Sequence, residues 1–313
     1  MPHHQLPFEI TYPVFTECLS DHFQTVIEFI ALRFANHDPD ELVRWIEKGR
    51  IRLNNRFTTV DQVLAPNDLI SISFPGHIEE YADCNWRIVW ENEEIMAVYK
   101  PHQLPVSRTT RNLYNTLIQL IRRQTPHYDA HLLHRLDTET AGLILIAKDK
   151  AADLKWKKQL HTLIEKKLYH AEVHGVPDWQ NRVLECELAS KENSAIRSRV
   201  YVKDREEEAG YIKSKWSKTA FRVITRQDDR AVVECELFTG RKHQIRAHLA
   251  SLGHPIIGDK IYCYDGHYYL KRLNTPLTAS DLDLLGSPHH KLTAVELIIR
   301  PDPADTPVRI TLV

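Results

Sequence analysis

The chain has 313 residues, 42% hydrophobic and 27% charged, with a formal net charge of −1 at pH 7. That length suits about two domains, and the composition excludes collagen, low-complexity disorder and a membrane bundle: the longest apolar run, Ala141–Ala147, is far short of the ~20 residues of a spanning helix. The near-neutrality hides a split, because residues 1–80 carry 6 Lys and Arg against 12 Asp and Glu, so the remainder is basic and any polyanion site must be a local patch.

In chain order, Asp38-Pro39-Asp40-Glu41 reads as a helix start, with a capping Asp, a first-turn Pro and acids at the positive end of the helix. Leu42, Trp45 and Ile46 mark its apolar face, and Gly49 its stop. Ile51–Leu53, a turn at Asn54-Asn55 and a return from Phe57 predict a hairpin, and Leu69–Ser73 a further strand. Phe74-Pro-Gly-His, followed by acids up to Asp83, marks a boundary, which sets domains at 1–80 and 81–313. Beyond it, strands are expected at Ile88–Trp90, Ile95–Tyr99, Leu143–Ala147, Tyr169–Val173, Ala220–Ile224, Ala231–Leu237 and Leu292–Ile299. Helices are expected over Leu113–Arg123 and Asp149–Thr162, and residues 177–215 give no clear pattern. The N-terminal residues Met1–Leu6 lack the features of a secretory signal. Five scattered cysteines without C-x-x-C speak against a disulfide framework or a cysteine zinc site, and for a reducing cytoplasm.

Three stretches carry chemistry. In His134-Arg-Leu-Asp-Thr-Glu-Thr-Ala-Gly-Leu, a charged loop enters a buried strand through Gly142. A carboxylate fixed at such a rim, Asp137, suits a nucleophile or an acid–base role, and equally suits a turn residue that binds local amides. In Thr239-Gly-Arg-Lys-His-Gln-Ile-Arg-Ala-His, a helix opening at Thr239-Gly240 would present Arg241, Gln244 and Arg246 to a phosphate, or be an ordinary amphipathic helix with solvated cations. Tyr169 in Lys-Lys-Leu-Tyr-His-Ala is either a core strand residue or a platform for a base. The spacing of His127, His131 and His134 raises a metal site, but Pro126 and the strand-like Leu132-Leu133 interrupt any helix that would gather them, so no metal is expected.

Together the three stretches resemble RluA-type RNA pseudouridine synthases: H-R-L-D-x-x-T-x-G-L, K-x-Y-x-A and T-G-R-x-H-Q-I-R-x-H with a later G-D, in order, over residues 85–313. Lys100-Pro101 and Ser217–Phe221 fit the same pattern; Ala141, where serine is common, and Leu292-Thr293-Ala294, where Leu-His-Ala is usual, depart from it. The resemblance implies an α+β fold with a mixed, mainly antiparallel sheet split by a cleft. It implies an isomerase that converts uridine in structured ribosomal or transfer RNA to pseudouridine without a cofactor or metal. Asp137 would be the central group, Arg246 its ion-pair partner, and Tyr169 the contact for the target base with a part in removing the proton at carbon five. Arg135 would enter the space the extruded base vacates, and Arg241, Lys242 and Gln244, with the Lys155–Lys158 region, would hold RNA. Residues 15–76 resemble an S-four RNA-binding domain with Arg44, Lys48, Arg50, Arg52 and Arg56 as a basic ridge. A cytoplasmic monomer that acts on RNA and not on membranes is expected. A non-catalytic RNA-binding or ribosome-assembly factor on the same fold is the alternative, and a metal-dependent RNA hydrolase is a second rival that chelation would expose.

Overall fold

The computed structural model describes residues 8–19, 25–203, 210–302, 304 and 306–312. Met1–Leu6, read above for a leader, lie outside them. The N-terminal part is a four-stranded antiparallel sheet of β1 (Phe8–Pro13), β2 (Ile51–Leu53), β3 (Arg56–Phe57) and β4 (Leu69–Phe74), in the order β1-β4-β2-β3. Helices α1 (Val26–Arg33) and α2 (Pro39–Glu47) supply the rest of its core, including Phe29, Ile30, Trp45 and Ile46. Local chemistry sets their ends. Thr25 and Glu28 form a capping box on α1. Asp38 caps α2, and Gly49 leaves it at φ +66°. Asn54 and Asn55, both at positive φ, close the β2–β3 hairpin as expected.

The larger part is built on an eleven-stranded sheet. Its strands are β5 (Arg87–Glu91), β6 (Ile95–Lys100), β7 (His131–Leu132), β8 (Ala141–Ala147), β9 (Ile164–His174), β10 (Asn181–Lys191), β11 (Tyr201–Val202), β12 (Tyr211–Arg226), β13 (Arg230–Leu237), β14 (Leu292–Ile299) and β15 (Val308–Thr311). They run in the order β11-β10-β12-β13-β9-β14-β8-β6-β5, with β15 on β14 and β7 on β8. The helices are α3 (Leu117–Gln124), α4 (Lys150–Lys158), α5 (Leu160–Leu163), α6 (Gln244–Ser251), α7 (His267–Lys271) and α8 (Ala279–Leu285). The sheet is mixed but mostly antiparallel; β8 and β14 pair in parallel.

Strand β8 shows why its sequence is apolar without alternation. Ile144 and Ile146 belong to one core cluster and Leu143 and Leu145 to another, so both faces are covered. At its start Gly142 has φ +113°, and a Cβ there would lie 2.2 Å from the Ala294 carbonyl oxygen of β14. Only glycine lets the two backbones meet at this point. The two departures from the family pattern fall together here, because Ala141 lies opposite Thr293 in the parallel register.

Three sequence expectations change. The helix predicted from Leu113 begins at Leu117, because the backbone N–H groups of Leu113, Tyr114 and Asn115 donate to the Glu79 carboxylate instead of entering a helix. The pattern-free stretch 177–215 contains β10, β11 and the start of β12. The helix expected from Thr239-Gly240 begins only at Gln244. Its side-chain carbonyl accepts from the Thr239 hydroxyl and the Arg241 N–H, which closes residues 239–244 into a turn, and His243 caps the helix in the left-handed region at φ 54°.

The two parts meet through aromatic packing. Tyr114 lies 4.7 Å from Phe74 and 5.6 Å from Phe8, ring centroid to ring centroid. Glu79 and Glu80 hold the 112–115 loop, the latter accepting from the Asn112 amide through its carbonyl. Residues 79 and 80 therefore bind to the larger part. Among the described residues no helix is long and apolar enough to cross a membrane.

Candidate active site

The loop from Leu133 to Thr140 joins β7 to β8 and forms one wall of a cleft of about 940 Å³. Backbone anchors hold this loop from below. The fully buried Lys100 ammonium donates to the carbonyls of Pro101, Leu104 and Thr138 at 2.8, 2.9 and 3.0 Å. Three acceptors match the three N–H groups of an ammonium. Burial lowers its pKa to about 7 against the opposing charges of Asp137 and Glu139. The Thr140 hydroxyl bonds His290 Nε2 at 2.8 Å, and the Glu139 carboxylate accepts from Lys260 and from the His290 N–H. His134 accepts the Leu145 N–H on its Nε2 at 3.1 Å, and burial lowers its pKa to about 3. It is neutral at pH 7, with Nε2 engaged by the strand it supports. No group of three or more His, Cys, Asp or Glu side chains among the described residues is arranged to hold a metal ion.

Asp137 projects from this loop into the cleft with 30% of its side chain exposed. Arg246 reaches it from α6: Nη1 donates to Oδ2 at 2.7 Å. The other edge of the guanidinium is clamped by Asp259, with Nε to Oδ2 at 2.6 Å and Nη2 to Oδ1 at 2.9 Å. Asp259 is fully buried and also accepts the N–H groups of Ile261 and Tyr262, so it is fixed before it fixes the arginine. Burial alone would raise the Asp137 carboxyl; the Arg246 charge foremost outweighs it and brings the pKa to about 2. Asp137 is thus an ionised, oriented carboxylate at neutral pH, open to the cleft.

Around it, Tyr169 on β9 lines the cleft and is nearly buried. Burial first, then the Asp137 charge, raise its phenol well above the usual value. It therefore carries its proton and can donate a hydrogen bond. His243 points Nε2 toward Asp137 Oδ2 at 3.8 Å, and burial followed by the Arg246 charge lowers its pKa to about 4.

The sequence-derived site residues divide. Asp137, Tyr169 and Arg246 converge in one cleft, with Arg135, Arg241 and Lys242 exposed along its lining. Gln244, expected to touch RNA, does something else. It is 3% exposed, its oxygen accepts from Thr239 and Arg241, and its nitrogen donates to Lys218 O and Thr219 Oγ1. With all four hydrogen-bonding sites used it ties α6 to β12 and is not free for a ligand. In the Lys155–Lys158 region, Lys155 pairs with Glu94 and Lys157 with Asp153. Of the N-terminal ridge, Arg44, Lys48 and Arg56 are exposed. Arg50 instead folds inward, its guanidinium 4.5 Å from the Trp45 ring centroid and its Nε donating to Ser73 O. Arg52 lies over Phe57, which is 78% exposed.

Sequence reasoning missed the roles of Asp259, His243, Glu139 and His290. Asp259 was visible only as the acid of a G-D pair far along the chain, with nothing local to couple it to Arg246.

The family model of RNA pseudouridylate synthases matches residues 94–251. The dual-specificity RNA pseudouridine synthase RluA of Vibrio parahaemolyticus is 30% identical over 66% of this chain and 81% of its own. The mitochondrial tRNA pseudouridine(32) synthase of Saccharomyces cerevisiae is 29% identical over 83% of this chain and 54% of its own. Among solved structures, human RNA pseudouridylate synthase domain containing 1 superposes with a TM-score of 0.56 over 74% of this chain and 85% of its own, at 23% identity, a likeness of fold.

Proposed function

The chain belongs to the RNA pseudouridylate synthase family, and from that premise we propose Asp137 as the group around which it isomerises uridine in RNA. It is an RNA pseudouridine synthase: the bond from ribose to the ring nitrogen breaks, the base turns, and a bond forms from the same ribose carbon to ring carbon five. Carbon five releases a proton and the freed nitrogen takes one up, so nothing is oxidised and no group is lost.

The observation that carries the assignment is the Asp137–Arg246–Asp259 chain. A carboxylate held ionised at about pKa 2, hydrogen-bonded on one oxygen and open on the other side to a cleft, is prepared to meet positive charge or an electrophilic carbon. Attack on the sugar, attack on the base and removal of a sugar proton all use that same group. Tyr169 is assigned to the target base as a ring contact and donor. The buried phenol keeps its proton, which suits that donor role.

A base inside a helix is beyond reach of this cleft, so the target nucleotide is extruded, at a cost of a few kcal/mol. Exposed Arg135 fills the vacated space, and Arg241 and Lys242, on the turn before α6, hold flanking phosphates. We place the enzyme in the RluA-type branch, acting in the cytoplasm as a monomer on ribosomal or transfer RNA; the named activity of the yeast relative favours transfer RNA. The N-terminal part is proposed as an S-four-like RNA-docking unit ending near residue 76. Arg44, Lys48 and Arg56 are its exposed cations, and Phe57 beside Arg52 offers a base-stacking surface.

The test maps carbodiimide-dependent reverse-transcription stops in total RNA with and without the protein. New stops at discrete uridines are expected. Their absence from every RNA, with RNA binding intact, would favour a non-catalytic binding factor.

A further inference from the structure

His243 stands in the cleft in an unusual state. Its backbone is left-handed at φ 54°, a conformation uncommon outside glycine and one that clusters at functional sites. The surroundings impose it, because Gln244 closes the preceding turn and the Ala247 N–H bonds the His243 carbonyl at 2.9 Å. The ring is held by Tyr262, whose hydroxyl lies 3.3 Å from Nδ1.

That hydroxyl fixes the tautomer. Its single proton goes to Val200 O at 3.0 Å, and it accepts the Val200 N–H at 3.1 Å. Toward His243 it has only a lone pair left, so Nδ1 carries the imidazole proton. Nε2 therefore presents a bare lone pair to the cleft. The imidazole is neutral at pH 7, with burial as the main cause. Opposite it, at 3.8 Å, lies Asp137 Oδ2, also an acceptor. Neither atom can donate to the other, and the separation is beyond a hydrogen bond. Two acceptors that face a common space are complementary to one donor placed between them.

We infer that His243 Nε2 and Asp137 Oδ2 together receive the ribose 2′-hydroxyl of the target nucleotide, and that this pair makes the enzyme discriminate ribose from deoxyribose at the reacting position. The inference rests on the assignment of Asp137 as the central group. If Asp137 works at the anomeric carbon, the adjacent 2′-hydroxyl is the substrate donor nearest its carboxylate. That hydroxyl is the group by which a protein tells RNA from DNA. A site built to hydrogen-bond a hydroxyl rejects the analogue without it: Asp137 Oδ2 keeps its bond from Arg246, but His243 Nε2 is then left unpaired.

The experiment uses the full chain and a synthetic RNA hairpin built around a uridine located by the mapping above. The target carries ribose, 2′-deoxyribose or 2′-fluoro-2′-deoxyribose; the fluoro sugar keeps the ribose pucker but cannot donate. Single-turnover pseudouridine formation is measured for wild type, His243→Asn and Tyr262→Phe. Asparagine tolerates the left-handed backbone but does not reach the Nε2 position; Tyr262→Phe frees Nδ1, so that Nε2 can take the proton. Wild type should prefer ribose over both analogues by about tenfold or more, the value of one good hydrogen bond to a charged acceptor. Each variant should shrink that preference at least about fivefold, whatever its absolute rate. A fluoro substrate that reacts as fast as ribose, or an unchanged preference in both variants, overturns the inference while leaving the enzyme assignment standing. A wild type that forms no pseudouridine in the ribose hairpin overturns that assignment and this inference with it.

Discussion

Replacing Arg246 with lysine keeps a positive charge and removes the planar fork. The guanidinium makes three short bonds to two carboxylates on separate segments, two to Asp259 and one to Asp137. An ammonium on a shorter reach satisfies one of them, and the fully buried Asp259 keeps the stronger claim. Loss of two charge-assisted bonds at ~1.5–3 kcal/mol each, partly offset by the charge that remains, gives a stability loss of about 2–4 kcal/mol. Asp137 then loses its direct donor while its burial persists. Its pKa of about 2 against the ordinary 3.8 reflects about 2.5 kcal/mol of net stabilisation of the ionised form. With the ammonium drawn toward Asp259, Asp137 loses the hydrogen bond and feels the charge from further away, so burial gains weight and the pKa rises toward the ordinary 3.8. The sign follows from linkage: a depressed native pKa adds stability above the unfolded value, and this is lost as pH falls from about 4 to about 2. Arg246→Lys should weaken that acid dependence, and the acid limb of its single-turnover profile should rise by about one pH unit or more. Urea unfolding at several pH values and tritium release from RNA labelled at uridine carbon five measure both. A lysine variant with wild-type stability and an unmoved acid limb would refute the view that the fork sets the ionisation and placement of Asp137.

Asp137→Asn should abolish tritium release while RNA binding persists; turnover above about a tenth of wild type would remove Asp137 from the central role. Gly142→Ala drives a Cβ to 2.2 Å from the Ala294 carbonyl and forces the parallel β8–β14 contact apart, with an expected cost above about 3 kcal/mol by thermal unfolding; a wild-type melting temperature would contradict the close approach. Removing residues 1–76 while retaining Glu79 should leave a folded enzyme with weaker RNA binding and a shallower salt dependence, since Arg44, Lys48 and Arg56 are lost. Unchanged affinity and salt slope would assign the N-terminal part to another role.

The sequence by itself determined much of this protein where the signal is local. The Asp38-Pro39 helix start, the Asn54-Asn55 turn and the strand Leu292–Ile299 all appear where their residues predict them. These features depend on backbone preferences and on side chains a few positions apart, which the chain order preserves. Motif order likewise grouped Asp137, Tyr169 and Arg246, which the fold brings to one cleft. The tertiary structure decided what depends on partners far apart in the chain. Gln244 resembles an RNA contact until Lys218 and Thr219, 26 and 25 residues away, take up its amide. Arg50 belongs to a basic ridge until it folds over Trp45 and donates to Ser73. A predicted helix at Leu113 loses its first turn to the Glu79 carboxylate, 34 residues earlier. Asp259 becomes the clamp of Arg246, and His243 acquires a defined tautomer through Tyr262, because folding brings these groups within hydrogen-bond range. A buried polar group must be paired, and which partner pairs it is a property of three-dimensional proximity that no local pattern encodes.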